Sequence, residues 1–252
     1  MLSYKNVDVS INRTPILRNV SVDFEKGKLT TIVGPNGCGK TTLIQVINGL
    51  SNVTAGKISI EDRSIFELSD RERAKIVSFM AQFRDGIPAI TVGALVEHGR
   101  FPYMGFSRRM SPKDREAVDK ALEYTRLIDY KDTLVSELSG GQQQRAFLAM
   151  QLAQNSPYMI LDEPMNHLDF PARREMHGLL KELVGRGKTI ILVSHDLGEA
   201  LKLSDCLVVM QDRAIVGVGS PKECLENGFI EKVFNCQIKK IELEDEAHFI
   251  FL

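Results

Sequence analysis

The chain has 252 residues, enough for one large domain or a domain with an inserted lobe, and its 33 acidic and 32 basic side chains leave a formal net charge of -1. With the two signs interspersed, no overall field draws it to nucleic acid or to lipid. Four cysteines, Cys38, Cys206, Cys224 and Cys236, stand far apart without metal-ligand spacing, so reduced thiols are expected.

Taken in chain order, "MLSYKNVDVS" reads as the opening of a first strand and not as a secretion signal, and Tyr4 belongs to that strand. No apolar run approaches the ~18 residues of a membrane span. The run "KLTTIVG" ends at Gly34 and leads into "GPNGCGKTT", Gly34 to Thr42, which opens a helix over Lys40 to Asn48 that stops near Gly49. Next come the run "KIVSFMAQ", ending at Gln82, and a helix over Lys113 to Leu127. "VSELSGGQQQR" then opens a helix over Gln142 to Gln154. "YMILDE" ends at Asp162 and Glu163, a helix follows over Ala172 to Val184, and "KTIILVSH" ends at His195. The tail reads as a hairpin, Cys236 to Leu243 and His248 to Leu252 around the acidic turn "EDEA".

Short, continuous apolar runs suit strands buried on both faces, and helices alternate with them, so the layout is α/β. Ligands in such folds bind beyond the carboxyl ends of the strands, and here those ends carry Gly34, Gln82, Asp162, Glu163 and His195.

The segment Gly34, Pro35, Asn36, Gly37, Cys38, Gly39, Lys40, Thr41, Thr42 matches G-x-x-x-x-G-K-T in its strand–loop–helix setting. Glycines let backbone N–H groups wrap a phosphate, Lys40 reaches the β- and γ-phosphates, and the Thr41 hydroxyl suits Mg²⁺. Asp162 suits a carboxylate that holds the same ion. Glu163 beside it suits a base acting on the attacking water, and His195 a contact to the γ-phosphate. Ser139, Gly140, Gly141 and Gln142 pose a separate puzzle. Serine caps and glutamine three residues on completes a capping box, yet two glycines fill the first turn at about 1 kcal/mol each.

At this point the chain resembles the ATP-binding-cassette (ABC) ATPases, whose signature LSGGQ stands intact at Leu138 to Gln142, and the likeness runs from about Leu2 to Pro221. The family's motifs follow in order: the phosphate loop, the Q-loop glutamine Gln82, the signature, "ILDEP", the D-loop "MNHLD" with Asp169, and the switch histidine His195. The resemblance implies a phosphate-loop NTPase core with a mixed, mostly parallel sheet and an N-terminal antiparallel β-subdomain. It also implies a nucleotide-binding domain over 1–220, with a helical lobe inserted at about 84–155, and a C-terminal extension over 221–252.

It further implies a two-fold dimer that sandwiches two ATP molecules with Mg²⁺, each on Lys40 and Thr41 of one copy and Ser139, Gly140, Gly141 and Gln142 of the other. Gln82 joins Thr41 and Asp162 near the metal, and Asp169 couples the two sites. Ile11 stands where the family usually has an adenine-stacking aromatic, so ATP binding is expected with weak discrimination of adenine from guanine. His167 takes a variable D-loop position and has no assigned role.

The stretch "GRFPYMGFSRR", Gly99 to Arg109, the phosphate-loop Cys38 and the hairpin tail resemble the importer branch that handles iron-siderophore, haem or cobalamin. That branch implies an integral-membrane permease as partner, a substrate-binding protein indirectly, no nucleic acid, and a place on the cytoplasmic face of the cell membrane. Phe83, Ile87, Pro88 and Ile90 then line a groove for a permease helix, or else are ordinary lobe core. Arg100, Arg108, Arg109, Lys113 and Arg115 form part of that region or a solvated basic face. His98, His177 and His248 read as structural or surface residues. The alternative function is a soluble ABC ATPase acting as scaffold or assembly factor, as in iron–sulfur cluster building.

Overall fold

The computed structural model describes residues 1–49, 53–81, 88–105, 109–166, 168–243 and 246–252. The elements in order are β1 (Leu2–Ile11), β2 (Thr14–Phe24), β3 (Leu29–Val33), α1 (Lys40–Gln45), β4 (Val53–Ile60), β5 (Arg63–Ser64), α2 (Asp70–Ile76) and β6 (Val77–Met80). Then come α3 (Val92–His98), α4 (Pro112–Tyr124), α5 (Gly140–Gln154), β7 (Tyr158–Asp162), α6 (Phe170–Gly185), β8 (Thr189–Val193) and α7 (Leu197–Leu203). The chain closes with β9 (Cys206–Gln211), β10 (Ala214–Gly219), α8 (Pro221–Glu226), α9 (Phe229–Phe234), β11 (Ile238–Leu243) and β12 (Glu246–Phe251). These form two units, one of Met1–Glu67 with Gly187–Leu252 and one of Leu68–Arg186.

In the first unit, β1 pairs antiparallel with β2 and β4, and β4 with β5. Leu2, Tyr4, Val7 and Val9 are buried along β1. The first unit's other sheet is built on β3, all five of whose residues are buried, with β8 and β9 parallel to it on either side. Burial on both faces explains why β3 and β8 are unbroken apolar runs without alternation. β10 folds back antiparallel on β9 through Asp212 and Arg213, both left-handed at φ 48° and 71°, as a tight hairpin turn requires.

The tail hairpin is present, with Ile238 and Phe249 packed against a cluster that includes Val33, Leu201, Cys224 and Ile230. Its second strand starts at Glu246 and not at His248, because the ladder continues through Glu242 opposite Ala247 to Leu243 opposite Glu246.

In the second unit β6 and β7 run parallel, from Val77 opposite Tyr158 to Met80 opposite Leu161, and α3 and α4 both pack on α5. Arg100, grouped in the sequence with surface cations, is only 8% exposed. Its Nε donates to Asp114 Oδ1 at 2.9 Å and its Nη1 to the Ala153 carbonyl at 2.6 Å, while the guanidinium lies 3.9 Å from the Tyr103 ring centre. A solvated face therefore describes Arg109, Lys113 and Arg115, which are exposed, but not Arg100. Arg108, with Gln82, Phe83, Ile87 and His167, lies outside the described residues. Pro88 and Ile90 are half-buried. Among the described residues no helix is long and apolar enough to cross a membrane.

Candidate nucleotide site

The first unit supplies the phosphate loop. β3 ends at Val33, and Gly34 turns the chain where β9 runs close behind it. A Cβ on Gly34 would stand 2.3 Å from the Met210 carbonyl oxygen. Gly39, at φ 106°, meets β2, where an added methyl would stand 2.9 Å from the Ile16 carbonyl. Both glycines are thus demanded by the chain's own packing. The result is a loop with exposed Asn36 and Gly37 on its outer side and Lys40 beneath.

Lys40 is 7% exposed, and its Nζ donates to the Gly34 carbonyl at 2.7 Å and to Pro35 at 3.1 Å. No side chain caps the start of α1, which leaves the first-turn amides to another acceptor. A buried ammonium, an uncapped helix start and a glycine cradle fit a polyphosphate, and the exposed Thr41 beside them fits a hydroxyl ligand of a hard cation. Thr42 is half-buried behind it. Burial pushes the Cys38 thiol above its ordinary value, against the pull of the nearby Lys40 charge, so the loop carries a neutral thiol.

Other predicted residues lie in the same unit. β8 is parallel to β3, the Ser194 amide donates to the Ile32 carbonyl at 3.3 Å, and exposed His195 leaves the sheet at the loop's end. Ile11 ends β1 and is 45% exposed, opposite Thr14 across a turn at Asn12 and Arg13. Tyr4 is buried, packs edge-to-face on Phe24 at 5.9 Å, and donates to the Leu43 carbonyl at 2.7 Å. Sequence reasoning placed Tyr4 in the strand but missed this bond, which holds the phosphate-loop helix against the first sheet.

The second unit holds the carboxylates and the signature. β7 is buried throughout and ends on Asp162, 4% exposed. Glu163 follows at φ 52°, a left-handed conformation that costs a non-glycine residue about 1–3 kcal/mol and so turns the chain sharply after the strand. Asn166 completes that turn. Its amide donates to the Glu163 carbonyl at 3.2 Å, and its side-chain amide donates to the Glu163 carboxylate. Sequence reasoning did not name Asn166; the signal was a polar residue three positions after the second strand-end acid.

At the signature, Ser139 caps α5. Its hydroxyl accepts from the Gln142 amide at 3.3 Å and its own amide donates to Gln142 Oε1 at 2.9 Å. The glycines behind the cap differ. A methyl on Gly141 would stand 2.8 Å from Ala172 Cβ, so packing against α6 explains this residue without any ligand. Gly140 is exposed, and a methyl there would meet nothing within 4 Å. The expectation that folding accounts for neither glycine therefore holds for Gly140 and is corrected for Gly141. Asp169 caps α6, accepting from the Ala172 amide at 2.9 Å, so the D-loop acid also has a local structural task.

Comparison with known proteins bears on both units. The model of the ABC transporter family matches residues 17–166. The petrobactin import ATP-binding protein YclP of Bacillus subtilis (strain 168) is 38% identical over 239 residues, covering 94% of each chain. The ferric enterobactin transport ATP-binding protein FepC of Escherichia coli (strain K12) is 35% identical over 228 residues, 90% of this chain and 84% of that one. The dimeric post-hydrolysis structure of the ATP-binding cassette MJ0796, bound to ADP and Pi, matches with a TM-score of 0.75 at 29% identity, covering 88% of this chain and 99% of that one. With the motifs, the fold and these relatives in agreement, the chain belongs to the ABC transporter family.

Proposed function

We propose that the chain is the ATP-hydrolysing subunit of a membrane importer for iron chelates, working as a two-fold dimer beneath a permease at the cytoplasmic membrane face. The observation that carries the reading is the buried Lys40 ammonium inside a glycine cradle, in a chain 38% identical to an import ATP-binding protein along most of its length. Both relatives described above are transport proteins by name, which does not favour the scaffold alternative. Petrobactin and enterobactin name the transport systems of the two relatives. An ATPase that serves different chelates need not touch any of them, so the cargo is left to the permease and its binding protein.

In this reading Lys40 and the amides of Gly37, Gly39 and Thr41 hold the phosphates, and Thr41, Asp162 and Gln82 hold Mg²⁺. That ion, when bound, neutralises charge on the β- and γ-phosphate oxygens. Glu163 takes the proton of the attacking water, with Asn166 fixing its carboxylate, and His195 steadies the γ-phosphate side. Ser139 and Gly140 of a second copy bring amides and a hydroxyl to the same γ-phosphate. Asp169 links the two halves, and Ile11 gives apolar contact to the base. Loss of the γ-phosphate removes a contact shared by both copies, so hydrolysis favours opening.

The test is reconstitution of the chain with its copurified permease and a binding protein, with ATPase activity measured against a panel of ferric chelates. Stimulation by at least one chelate, abolished by Glu163→Gln, supports the reading; copurification with soluble partners alone rejects it.

A further inference from the structure

The helix behind the phosphate loop, α1, is held at both ends by one β-hairpin. At its start Gly39 lies against β2, where the Leu17 side chain and the Ile16 carbonyl leave no room for a methyl. At its far end the Tyr4 hydroxyl of β1 donates to the Leu43 carbonyl at 2.7 Å. α1 has six residues, and the Val46 amide closes it on the Thr42 carbonyl before the chain tightens into a 3₁₀ turn over Val46–Asn48. Leu43 thus carries one of the end carbonyls that a helix leaves to outside donors, and Tyr4 supplies the donor. The phenol is itself fixed. Tyr4 is 1% exposed, pairs with Val22 of β2 and Ile58 of β4, and packs edge-on against Phe24. Burial pushes the phenol well above its ordinary value, so the hydrogen stays on the oxygen.

Resting on the reading of the Lys40 loop as the phosphate site, we infer that Tyr4 is a positioning residue for the nucleotide, holding the far end of α1 so that Lys40 and the first-turn amides stand at phosphate distance. Leu2, Val7 and Val9 are the other buried side chains of β1, all apolar, so the hydroxyl is a polar atom in an apolar layer. Such an atom costs free energy unless it is bonded, and its bond here goes to the one helix that bears the cradle. A helix of this length is only about 9 Å long, so a slip at one end reaches the other. Hydrogen bonds to an anion weaken over a few tenths of an ångström. The hydroxyl therefore governs how tightly the polyphosphate is held, in ATP and ADP alike, and leaves the chemical step to the strand-end carboxylates.

The test uses the full chain as wild type, Tyr4→Phe and Phe24→Leu, each checked for folding by urea unfolding. Tyr4→Phe keeps the ring and removes only the hydroxyl, whereas Phe24→Leu loosens the packing of that ring and keeps the hydroxyl. Competition with a fluorescent ATP analogue gives Kd for Mg-ATP and Mg-ADP, and steady-state ATPase assays give KM and kcat. Tyr4→Phe is expected to weaken both nucleotides roughly 3- to 10-fold and to raise KM in step, with kcat within about twofold of wild type. Phe24→Leu is expected to lower the urea midpoint and to bind both nucleotides as the wild type does. Unchanged affinity in Tyr4→Phe overturns the inference. So does equal weakening in Phe24→Leu, which would make the effect one of general stability. A wild-type chain that binds neither nucleotide removes the phosphate-site reading itself.

Discussion

The phosphate loop and the signature turn are both glycine-bearing helix starts, and they are built on opposite plans. In the loop, β9 and β2 crowd Gly34 and Gly39, no side chain caps α1, and Lys40 is buried within. At the signature the cap is complete, Gly141 answers to Ala172, and Gly140 faces open space. One start is incomplete as a helix and complete as an anion cradle. The other is complete as a helix and keeps a single glycine with no internal use. In the dimer proposed above, the first would hold the nucleotide and the second would meet one held by another copy.

Substitutions can break this contrast. Lys40→Ala is expected to lower ATP affinity by on the order of 100- to 1,000-fold, read by equilibrium binding, since it empties the cradle of its charge. Next in size is Asp114→Asn, which leaves the buried Arg100 beside α5 without its partner and should cost roughly 3–5 kcal/mol in denaturant unfolding. The same pair sets a pH response. Ser111's hydroxyl, with its amide and Arg100, holds the Asp114 carboxyl below its ordinary value against the pull of burial. That stability is fully present above the unfolded carboxylate value of about 3.9 and is lost as pH falls through the lower folded value. The Asn variant should have a flatter acid limb, and an unchanged limb would refute the assignment.

Glycine substitutions sharpen the comparison further. Gly141→Ala should destabilise by about 1–3 kcal/mol through its clash with Ala172. Gly140→Ala should stabilise by up to about 1 kcal/mol while lowering ATP turnover about tenfold. Melting temperature and steady-state ATPase rate separate the two, and a Gly140 variant that is both stabler and fully active would remove the visitor from the account. The smallest effect is at the base: Ile11→Tyr should tighten ATP by ~0.5–1.5 kcal/mol and raise its preference over GTP in competition binding.

Much of this was legible in the residues. β3, β6, β7 and β8 stand out as apolar runs with polar ends, and the α4, α5 and α6 helices start within two residues of where their periodicity begins. α2, α7, α8 and α9 have six or seven residues each, too few to display a period. Their caps were the available clue, as in the Ser69–Glu72 and Ser220–Glu223 boxes. β9 was not singled out, although "CLVVMQ" is a run of the same kind, because its end carries no residue with an evident task. In the site, the motif residues were readable and their supports were not. Tyr4 reaches Leu43 across 39 positions and Arg100 finds Asp114 across 14, and such partners exist only once the chain has folded.

The reciprocal cap at Ser139 leaves its hydroxyl half committed. One lone pair accepts from the Gln142 amide, while the hydrogen and the second lone pair stay free to turn toward a partner. A phosphate oxygen arriving at the exposed turn can therefore be offered this hydrogen without undoing the cap that starts α5.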